Sequence, residues 1–362
     1  MLRVATGLAS GPMPTADLAA SAVSQAMRRL DMTVANSVLL FLTSEFGHDP
    51  LPAIRSAAKA ASCTQVMGCS APGIFTQEDW VLDTPAAAAM VFGGNVRLAI
   101  NETLGDDALL FTLTAPHAIN TNWLSNPGKR FGGVAGDALG RGPFSVWQNA
   151  KGMVTGFTEA ALLGVEASVS ASHGLHIAGR PQLITCSQSH HLSTLDGNLA
   201  LESLRHAFPE TDPLPLHLLM AVYADSPDAI SRGEYSIASL VSGNENDGTV
   251  TLSNVLSEGQ YLAWAIRDVE SAQSDLKHTI EKSREELRSP PEFGLMFSCL
   301  GRGPYFYDGL DRDLMLVKKQ FPDMPFIGFY GNGEIAPMRG ENILLQYSAV
   351  LALFSKANDG SF

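Results

Sequence analysis

Cys69 is the first side chain in the sequence whose type and setting could support chemistry. It lies in the segment Gly68 to Gly73, which reads GCSAPG and follows an apolar run typical of a strand. Backbone N–H groups left free at a strand end can lower the pKa of a thiol and make it a nucleophile. The alternative is a small buried hydrophobic residue, because free cysteine often packs in a core. The sequence places no histidine or acid beside Cys69, so an enzyme that uses this thiol is our second hypothesis.

Arg302 stands between Gly301 and Gly303. A flexible backbone at this point could present the planar guanidinium group to a carboxylate or a phosphate of a ligand. The alternative is a salt bridge to a local acid such as Asp308.

Glu334 and Tyr330 belong to a second glycine-rich segment, Gly328 to Gly333, which reads GFYGNG and is followed directly by Glu334. The carboxylate could accept a ligand amine or pair with Arg302, or it could bind the N–H groups of its own loop. Tyr330 could stack on a ligand or simply pack half-buried.

The two glycine-rich segments are elements of an internal duplication. Their first glycines, Gly68 and Gly328, are 260 residues apart (328 − 68), and so are their last glycines (333 − 73). An apolar run and an amphipathic helix precede each segment. The sequence therefore predicts an α/β fold with duplicated strand-helix-strand units, each ending in a glycine loop with positive φ. Ligands of such folds usually lie in a crevice where strand ends meet.

Other elements complete this prediction. Hydrophobic periodicity predicts helices over residues 16–30, 50–62, 269–287 and 310–321. The middle of the chain alternates between apolar and turn residues, which predicts a strand-rich region with a hairpin at Asp247-Gly248. The apolar segment 342–354 closes the chain as a buried helix or strand.

A third glycine-rich run, Gly132 to Asp137, resembles a phosphate-binding loop only superficially. It lacks the Lys and Ser/Thr of a Walker loop and the spacing of a dinucleotide-binding site. We interpret it as a tight turn that Asp137 caps.

The composition excludes several classes of protein. The chain has 362 residues, of which 45% are hydrophobic and 17% charged, with a formal net charge of −13. This acidic balance argues against nucleic-acid and anionic-membrane partners. No apolar run approaches the roughly 20 residues of a membrane helix, and no signal-peptide core is present, so we expect a cytoplasmic protein. The four cysteines have no metal-binding spacing, and we expect free thiols and no metal.

Five motifs in order resemble the FIST family over nearly the whole chain: 68–73 (GCSAPG), 131–137 (FGGVAGD), 195–197 (LDG), 297–303 (FSCLGRG) and 328–337 (GFYGNGEIAP). The resemblance implies an N-terminal FIST domain over 1–193 and a C-terminal one over 194–362. It also implies a stand-alone sensory module that binds a small ligand and signals through a protein partner.

The resemblance brings haem into consideration, because one subgroup of the family is thought to sense nitric oxide through haem. The candidate axial ligands are His48, His117, His173, His176 and His217. None of them lies in a motif that demands an axial ligand, so we expect a colourless protein.

The favoured hypothesis is a small-ligand-binding sensory protein in intracellular signal transduction. Its expected ligand contacts are Gly68, Cys69, Ser70, Arg302, Tyr330, Gly333 and Glu334, around a pocket of roughly 300 Å³ or more. The alternatives are an enzyme with Cys69 as nucleophile and a protein-interaction scaffold without a small ligand.

Overall fold

The computed structural model of the protein describes residues 2–100, 105, 107–119, 124–137, 139–152, 155–209, 213–338 and 340–357. The chain divides into two compact units. Unit 1 comprises Met1–His173 and Asp275–Phe362, and unit 2 is the inserted segment Gly174–Ser274. These units do not coincide with the predicted domains 1–193 and 194–362, and that division of the sequence stays a prediction.

The described residues form 25 strands, which are in chain order β1 (Leu2–Ser10), β2 (Ser37–Thr43), β3 (Val66–Ala71), β4 (Gly73–Thr76), β5 (Trp80–Leu82), β6 (Ala86–Gly94), β7 (Arg97–Ile100), β8 (Leu109–Thr114), β9 (Lys129–Val134), β10 (Val146–Gln148), β11 (Lys151–Gly152), β12 (Phe157–Leu163), β13 (Val165–Ser172), β14 (Leu175–Gln188), β15 (His191–Leu195), β16 (Asn198–Leu199), β17 (Leu219–Ala224), β18 (Ser236–Asn244), β19 (Thr249–Leu252), β20 (Tyr261–Arg267), β21 (Phe293–Cys299), β22 (Phe326–Gly331), β23 (Glu334–Met338), β24 (Glu341–Leu345) and β25 (Ala349–Lys356).

The α-helices of the described residues are α1 (Ala16–Leu30), α2 (Leu51–Ala61), α3 (Ala200–Ala207), α4 (Pro227–Ser231), α5 (Val269–Glu286) and α6 (Arg312–Gln320). Four of them confirm the helices that periodicity predicts, because an apolar stripe on each packs into the core. In α1, for example, Ala19, Val23 and Ala26 are completely buried. Among the described residues, no helix combines the length and the apolar character that crossing a membrane requires.

Three six-stranded sheets, all formed by described residues of unit 1, share one strand order and one pattern of pairing. Sheet 1 is β1-β6-β2-β3-β10-β11, sheet 2 is β13-β25-β21-β22-β4-β5, and sheet 3 is β7-β12-β8-β9-β23-β24. In each, only the third and fourth strands are parallel. The strand-helix-strand units of sheets 1 and 2, β2-α2-β3 and β21-α6-β22, fit the predicted internal duplication. Sheet 3 repeats the same order a third time, which the sequence analysis did not predict.

The hairpins at the edges of these sheets are exchanged between them. Hairpin β4-β5 follows β3 in the chain but extends sheet 2, β10-β11 follows β9 but extends sheet 1, and β23-β24 follows β22 but extends sheet 3. The fourth strand of each sheet therefore leads directly into a neighbouring sheet. Consequently, the glycine-rich segments at the ends of β3, β9 and β22 are crossing points between sheets.

Aromatic side chains fill the interior of unit 1. The ring of Phe41 lies 5.0 Å from that of Phe329, and the ring of Phe111 lies 5.5 Å from that of Phe297. All four residues are completely buried. The segment 342–354, which the sequence left open between helix and strand, contains most of β24 and of β25. Strand β25 lies in this core between β13 and β21.

Unit 2 is built on a seven-stranded sheet, β14-β20-β17-β18-β19-β15-β16, in which β14 also pairs with β15. The predicted hairpin joins β18 to β19, and Gly248 has the positive φ (72°) expected of an Asp-Gly turn. Its core includes Leu204 on α3 and Trp264 on β20.

Candidate functional site

The first two glycine-rich segments are mostly strand, which corrects the loop prediction. Gly68 lies inside β3 and Gly328 inside β22, paired across parallel strands with Leu40 and Met296, respectively. A Cβ atom on Gly68 would lie 1.7 Å from the carbonyl oxygen of Leu40, and one on Gly328 would lie 1.9 Å from that of Met296. Close approach of the neighbouring strand therefore requires these glycines. A positive φ is not the reason for glycine here, since neither Gly68 nor Gly73 has a positive φ.

The third glycine-rich run repeats this arrangement and is not the predicted tight turn. Gly132 lies inside β9, and its Cβ atom would be 1.9 Å from the carbonyl oxygen of Thr112 on β8. Asp137 does cap a turn, but a later one: its carboxylate accepts hydrogen bonds from the N–H groups of Arg141 (3.1 Å) and Gly142 (2.9 Å).

The three segments meet in unit 1. Gly73 pairs with Tyr330, because β4 crosses to sheet 2. The N–H of Val134 donates to the carbonyl of Gly333 at 2.9 Å. The N–H of Gly136 donates to the carbonyl of Ser70 at 3.3 Å. The fold thus brings together the segments that the sequence singled out, through backbone hydrogen bonds that leave those groups engaged with one another.

Arg302 is 1% exposed and bound inside the protein. Its Nε lies 2.8 Å from Oδ2 of Asp313, and its Nη1 and Nη2 donate to the carbonyl (2.6 Å) and the Oγ (2.9 Å) of Ser172. The alternative salt bridges to Glu334 and Asp308 are not among the ion pairs of the described residues. Burial alone would lower the pKa of Arg302, but the charge of Asp313 raises it. The guanidinium is therefore a charged structural group.

Further polar side chains continue the network around Arg302. The hydroxyl of Tyr307 donates to Oδ1 of Asp313 at 2.6 Å, and the Oγ of Ser172 donates to Oδ2 of Asp275 at 2.8 Å. Tyr307 and Asp313 are both at most 1% exposed. The network thus connects the end of β13 and the segment after β21 with the start of α6 and with Asp275 on α5.

Tyr330 is buried and donates a hydrogen bond to the carboxylate of Asp311, the N-cap residue of α6. Its ring occupies a slot in which a Cβ atom on Gly73 or Gly303 would lie 2.8 or 2.9 Å from ring carbons. Burial, with a contribution from the charge of Asp313, raises the pKa of Asp311 from 3.8 to about 6. Tyr330 is thus a packed side chain with an internal hydrogen bond.

Glu334 begins β23 and is completely buried. Its Oε2 accepts a hydrogen bond from Oγ of Ser348 at 2.6 Å. Its Oε1 has no hydrogen-bond partner among the residues that the structure describes. Burial raises the pKa of this carboxyl well above its ordinary value, against the smaller opposing effect of Ser348.

The corresponding positions in the other two sheets carry no acid. The register of each hairpin against the fourth strand of its sheet defines these positions. Glu334 lies opposite Gly133 on β9 in sheet 3. Val146 lies opposite Cys69 in sheet 1, and Ile74 lies opposite Phe329 in sheet 2. Val146 and Ile74 are buried apolar residues. The same position in the fold thus accepts an aliphatic side chain, and the carboxyl group of Glu334 is not a requirement of the architecture.

The position of Cys69 in the core argues against the nucleophile hypothesis. The residue is completely buried in the main core of unit 1, among apolar side chains such as Leu39 and Phe41. Burial raises the pKa of its thiol well above the ordinary value. Because β3 continues through this position, its backbone N–H is not free to stabilise a thiolate. Ser70, next in the strand, accepts a hydrogen bond at Oγ from the N–H of Ser145 at 3.0 Å.

Three of the cavities that described residues line have volumes of about 410, 380 and 480 Å³. The first two lie in unit 2 and the third in unit 1. None of the three is lined by Ser70, Arg302, Tyr330 or Glu334.

The surroundings of the candidate histidines argue against a haem site in the described part of the chain. His48, His117, His176 and His217 are exposed, and none of the five candidates lines one of the three cavities. An axial ligand needs an imidazole facing a cavity that can enclose the macrocycle. Groups of three or more metal-binding side chains are also absent from the described part of the chain.

Sequence reasoning missed Asp311, Asp313 and Ser348. A helix-capping signal was available for Asp311, because an Asp directly before a helical stripe is a preferred N-cap residue. Its side chain indeed accepts from the N–H of Leu314 at 2.8 Å. No local pattern identifies Asp313 or Ser348, whose partners lie at distant positions in the chain.

Comparison with known proteins assigns the chain to a family. The model of the FIST N domain matches residues 36–198, and that of the FIST C domain matches residues 200–337. The uncharacterized protein Rv0628c of Mycobacterium tuberculosis is 26% identical over 386 residues, covering 98% of this chain and 100% of the relative. F-box only protein 22 of Homo sapiens is 28% identical over 129 residues, 33% of this chain and 32% of the relative. FIST domains are generally regarded as sensory domains in signalling. The chain belongs to the FIST family.

Proposed function

We propose that this protein is a cytoplasmic sensory protein that binds a small ligand at Glu334 and acts in intracellular signal transduction through a protein partner. The observation that carries the proposal is the buried Oε1 of Glu334, which lacks a hydrogen-bond partner among the described residues. A buried polar atom without a partner costs about 1–3 kcal/mol. Such a cost is commonly retained where function needs the group.

The chemistry of the ligand follows from Oε1 of Glu334, a buried acceptor without a partner among the described residues. A carboxyl oxygen is satisfied by an N–H or O–H donor, so the ligand presents an amine, amide or hydroxyl group to Oε1. The other oxygen is held by Ser348, which orients the group. The segments that contain Ser70 and Gly333 are the proposed surround of the ligand, because both hydrogen-bond to the segment 134–136. Gly68 is packed against Leu40 and takes a structural role in this proposal.

The remaining predicted contacts take other roles in this proposal. Arg302 and Tyr330 are positioning residues, which hold the ends of β21 and β22 through Asp313 and Asp311. Cys69 packs in the core and is not a ligand contact. Its raised pKa argues against the enzyme alternative.

The scaffold alternative keeps one observation in its favour. Stacked and edge-on phenylalanine rings fill the interior of unit 1, where the ring centroids of Phe293 and Phe354 are 4.7 Å apart. A filled interior suits a protein that presents only its surface to others. Glu334 distinguishes the two functions, because a scaffold has no use for a vacant buried acceptor.

The test replaces Glu334 with Ile, the residue at the corresponding position of sheet 2. If the carboxyl group is retained for a ligand, Glu334→Ile raises the free energy of unfolding by about 1–3 kcal/mol in ligand-free protein. Urea denaturation measures the change. The control Glu292→Gln alters an exposed acid and should change it by less than about 0.5 kcal/mol. A loss of stability in Glu334→Ile would show that Glu334 is structural and would refute the proposed site.

Native mass spectrometry of freshly purified protein supplies the second readout. We expect the wild type to retain a small molecule that Glu334→Ile releases, since this substitution removes the acceptor oxygen. Glu292→Gln should retain it. A wild type that carries no small molecule and is not stabilised by any compound of an amine, amide and alcohol panel would favour the scaffold function.

A further inference from the structure

A cavity in unit 2 has the features of a binding site of its own, independent of Glu334. It has a volume of about 380 Å³, within the range of small-molecule sites. Strand β14 and helix α3 form its walls, and Trp264 on β20 contributes to its floor. The polar side chains that line it are Arg180, Gln182, Asn198, Glu202, Ser203 and His206.

A bulge in β14 opens this cavity. Ala178 pairs with Trp264 on β20, and the next pair joins Gln182 to Leu262. Four residue steps on β14 thus face two on β20, and residues 179–181 leave the ladder. Gly179 has a left-handed φ of 75°, and Pro181 has no N–H to donate. Such bulges redirect side chains and are common beside functional sites. This one carries Arg180 to the rim of the cavity.

A chain of hydrogen bonds fixes the floor. The indole Nε1 of Trp264 donates to Oγ of Ser203 at 3.0 Å, and the hydroxyl of Ser203 donates to Oε1 of Gln182. Trp264 is 2% and Ser203 8% exposed, so this chain is shielded from water. The amide oxygen of Gln182 is thereby occupied. Its NH₂ group has no hydrogen-bond acceptor in the described part of the chain and can donate to a ligand.

The rim offers more donors than acceptors. The Arg180 side chain is 85% exposed, and its nearest acid in the described part of the chain is Asp196, with 3.8 Å between Nη2 and Oδ2. That distance exceeds a hydrogen bond. Within the described residues, the side chains of Asn198 and His206 also make no hydrogen bond. Glu202 is the single carboxylate of the lining. The donors favour an anionic group, and Glu202 disfavours a second negative charge.

We propose that this cavity binds a small organic monocarboxylate, whose carboxylate meets the guanidinium of Arg180 and the amide NH₂ of Gln182. The planar fork of an arginine matches a carboxylate in two parallel hydrogen bonds. The rest of the ligand lies over the floor formed by Trp264. The net charge of −13 repels anions from the protein as a whole, so recognition rests on these local donors.

The experiment titrates the full chain with acetate, pyruvate, benzoate and inorganic phosphate at constant ionic strength. The readout is the indole N–H signal of Trp264 in a ¹H–¹⁵N correlation spectrum, assigned by its loss in Trp264→Phe. We expect a saturable shift with at least one monocarboxylate and a weaker response to phosphate. Arg180→Ala should weaken binding at least about tenfold, because it removes a charge-assisted contact.

Arg205→Ala is the matched control. Arg205 lies on α3, is exposed and pairs with Glu245, but it lines a different cavity. This variant makes the same change in charge and should alter the affinity less than about twofold, as expected for a charge outside the site. The proposal is overturned if no monocarboxylate gives a saturable shift up to about 10 mM, well beyond ordinary small-ligand affinities. Tighter binding of phosphate, or equal effects of Arg180→Ala and Arg205→Ala, would overturn it as well.

Discussion

Replacement of Arg302 by Met tests whether this residue is structural, because Met keeps much of the side-chain volume and removes the guanidinium. The substitution deletes the contacts to Asp313 (2.8 Å) and to the carbonyl (2.6 Å) and Oγ (2.9 Å) of Ser172. Asp313 stays buried with the hydroxyl of Tyr307 as a donor at 2.6 Å. The variant therefore leaves a carboxylate in the interior without its counter-charge.

Removal of one member of a buried ion pair costs about 3–5 kcal/mol. We expect a loss of that size in the free energy of unfolding of unit 1, which is a large part of the roughly 5–15 kcal/mol that stabilises a typical domain. Urea denaturation followed by circular dichroism measures it. Arg288→Met is the control: its side chain is 70% exposed and lies 3.3 Å from Glu166. Such a surface pair contributes at most about 1 kcal/mol.

A second substitution checks the cause of the loss. Asp313→Leu in the Arg302→Met background removes the stranded carboxylate and should restore part of the stability, because both charges are then gone. If Arg302→Met costs no more than Arg288→Met, the guanidinium does not hold the fold together. The original expectation of Arg302 as a ligand contact would then regain its place.

Three further predictions concern other buried positions of unit 1. Asp311→Asn should gain about 2–3 kcal/mol of stability relative to the wild type as the pH rises from about 4 to about 6. The pKa of Asp311 is raised to about 6 in the folded protein, so ionisation of this buried acid lowers the stability of the wild type alone. A difference in unfolding free energy that stays constant across that pH range would contradict this prediction. Gly68→Ala should destabilise by about 1–3 kcal/mol or more in urea denaturation, since its Cβ would lie 1.7 Å from a carbonyl oxygen, whereas Gly152→Ala has open space and should not. Mass spectrometry after brief iodoacetamide treatment should find Cys186 modified and Cys69 intact, because only Cys186 is exposed, and rapid loss of Cys69 would restore the nucleophile hypothesis.

Local sequence patterns were sufficient for several elements of the fold. The helix predicted over 16–30 is α1, because its apolar stripe has the period of a helix and a core to pack against. The Asp-Gly hairpin of unit 2 formed for an equally local reason, the positive φ of Gly248. The glycine spacing of 260 residues reflected two strand-helix-strand units with the same pairing.

The candidate site was predictable in part. Glycine-rich segments and the residues beside them do meet, as the pairing of Gly73 with Tyr330 shows. The chemistry of each side chain was not predictable, because burial and distant contacts decide it. Arg302 and Tyr330 are bound to Asp313 and Asp311, which follow a loop whose path the sequence does not reveal.

The sequence by itself determined the α/β class, the principal helices and the positions where glycine is indispensable, since these follow from periodicity and from motifs a few residues long. Only the tertiary structure decided that three sheets share one strand order and that their hairpins are exchanged. It also decided that Gly68 is required by the close approach of the Leu40 carbonyl and not by a turn. It alone left one buried oxygen of Glu334 without a hydrogen-bond partner among the described residues and placed Arg180 on a bulge beside a cavity. Such features depend on contacts between residues far apart in the chain, and no local pattern encodes which distant group lies opposite a given side chain.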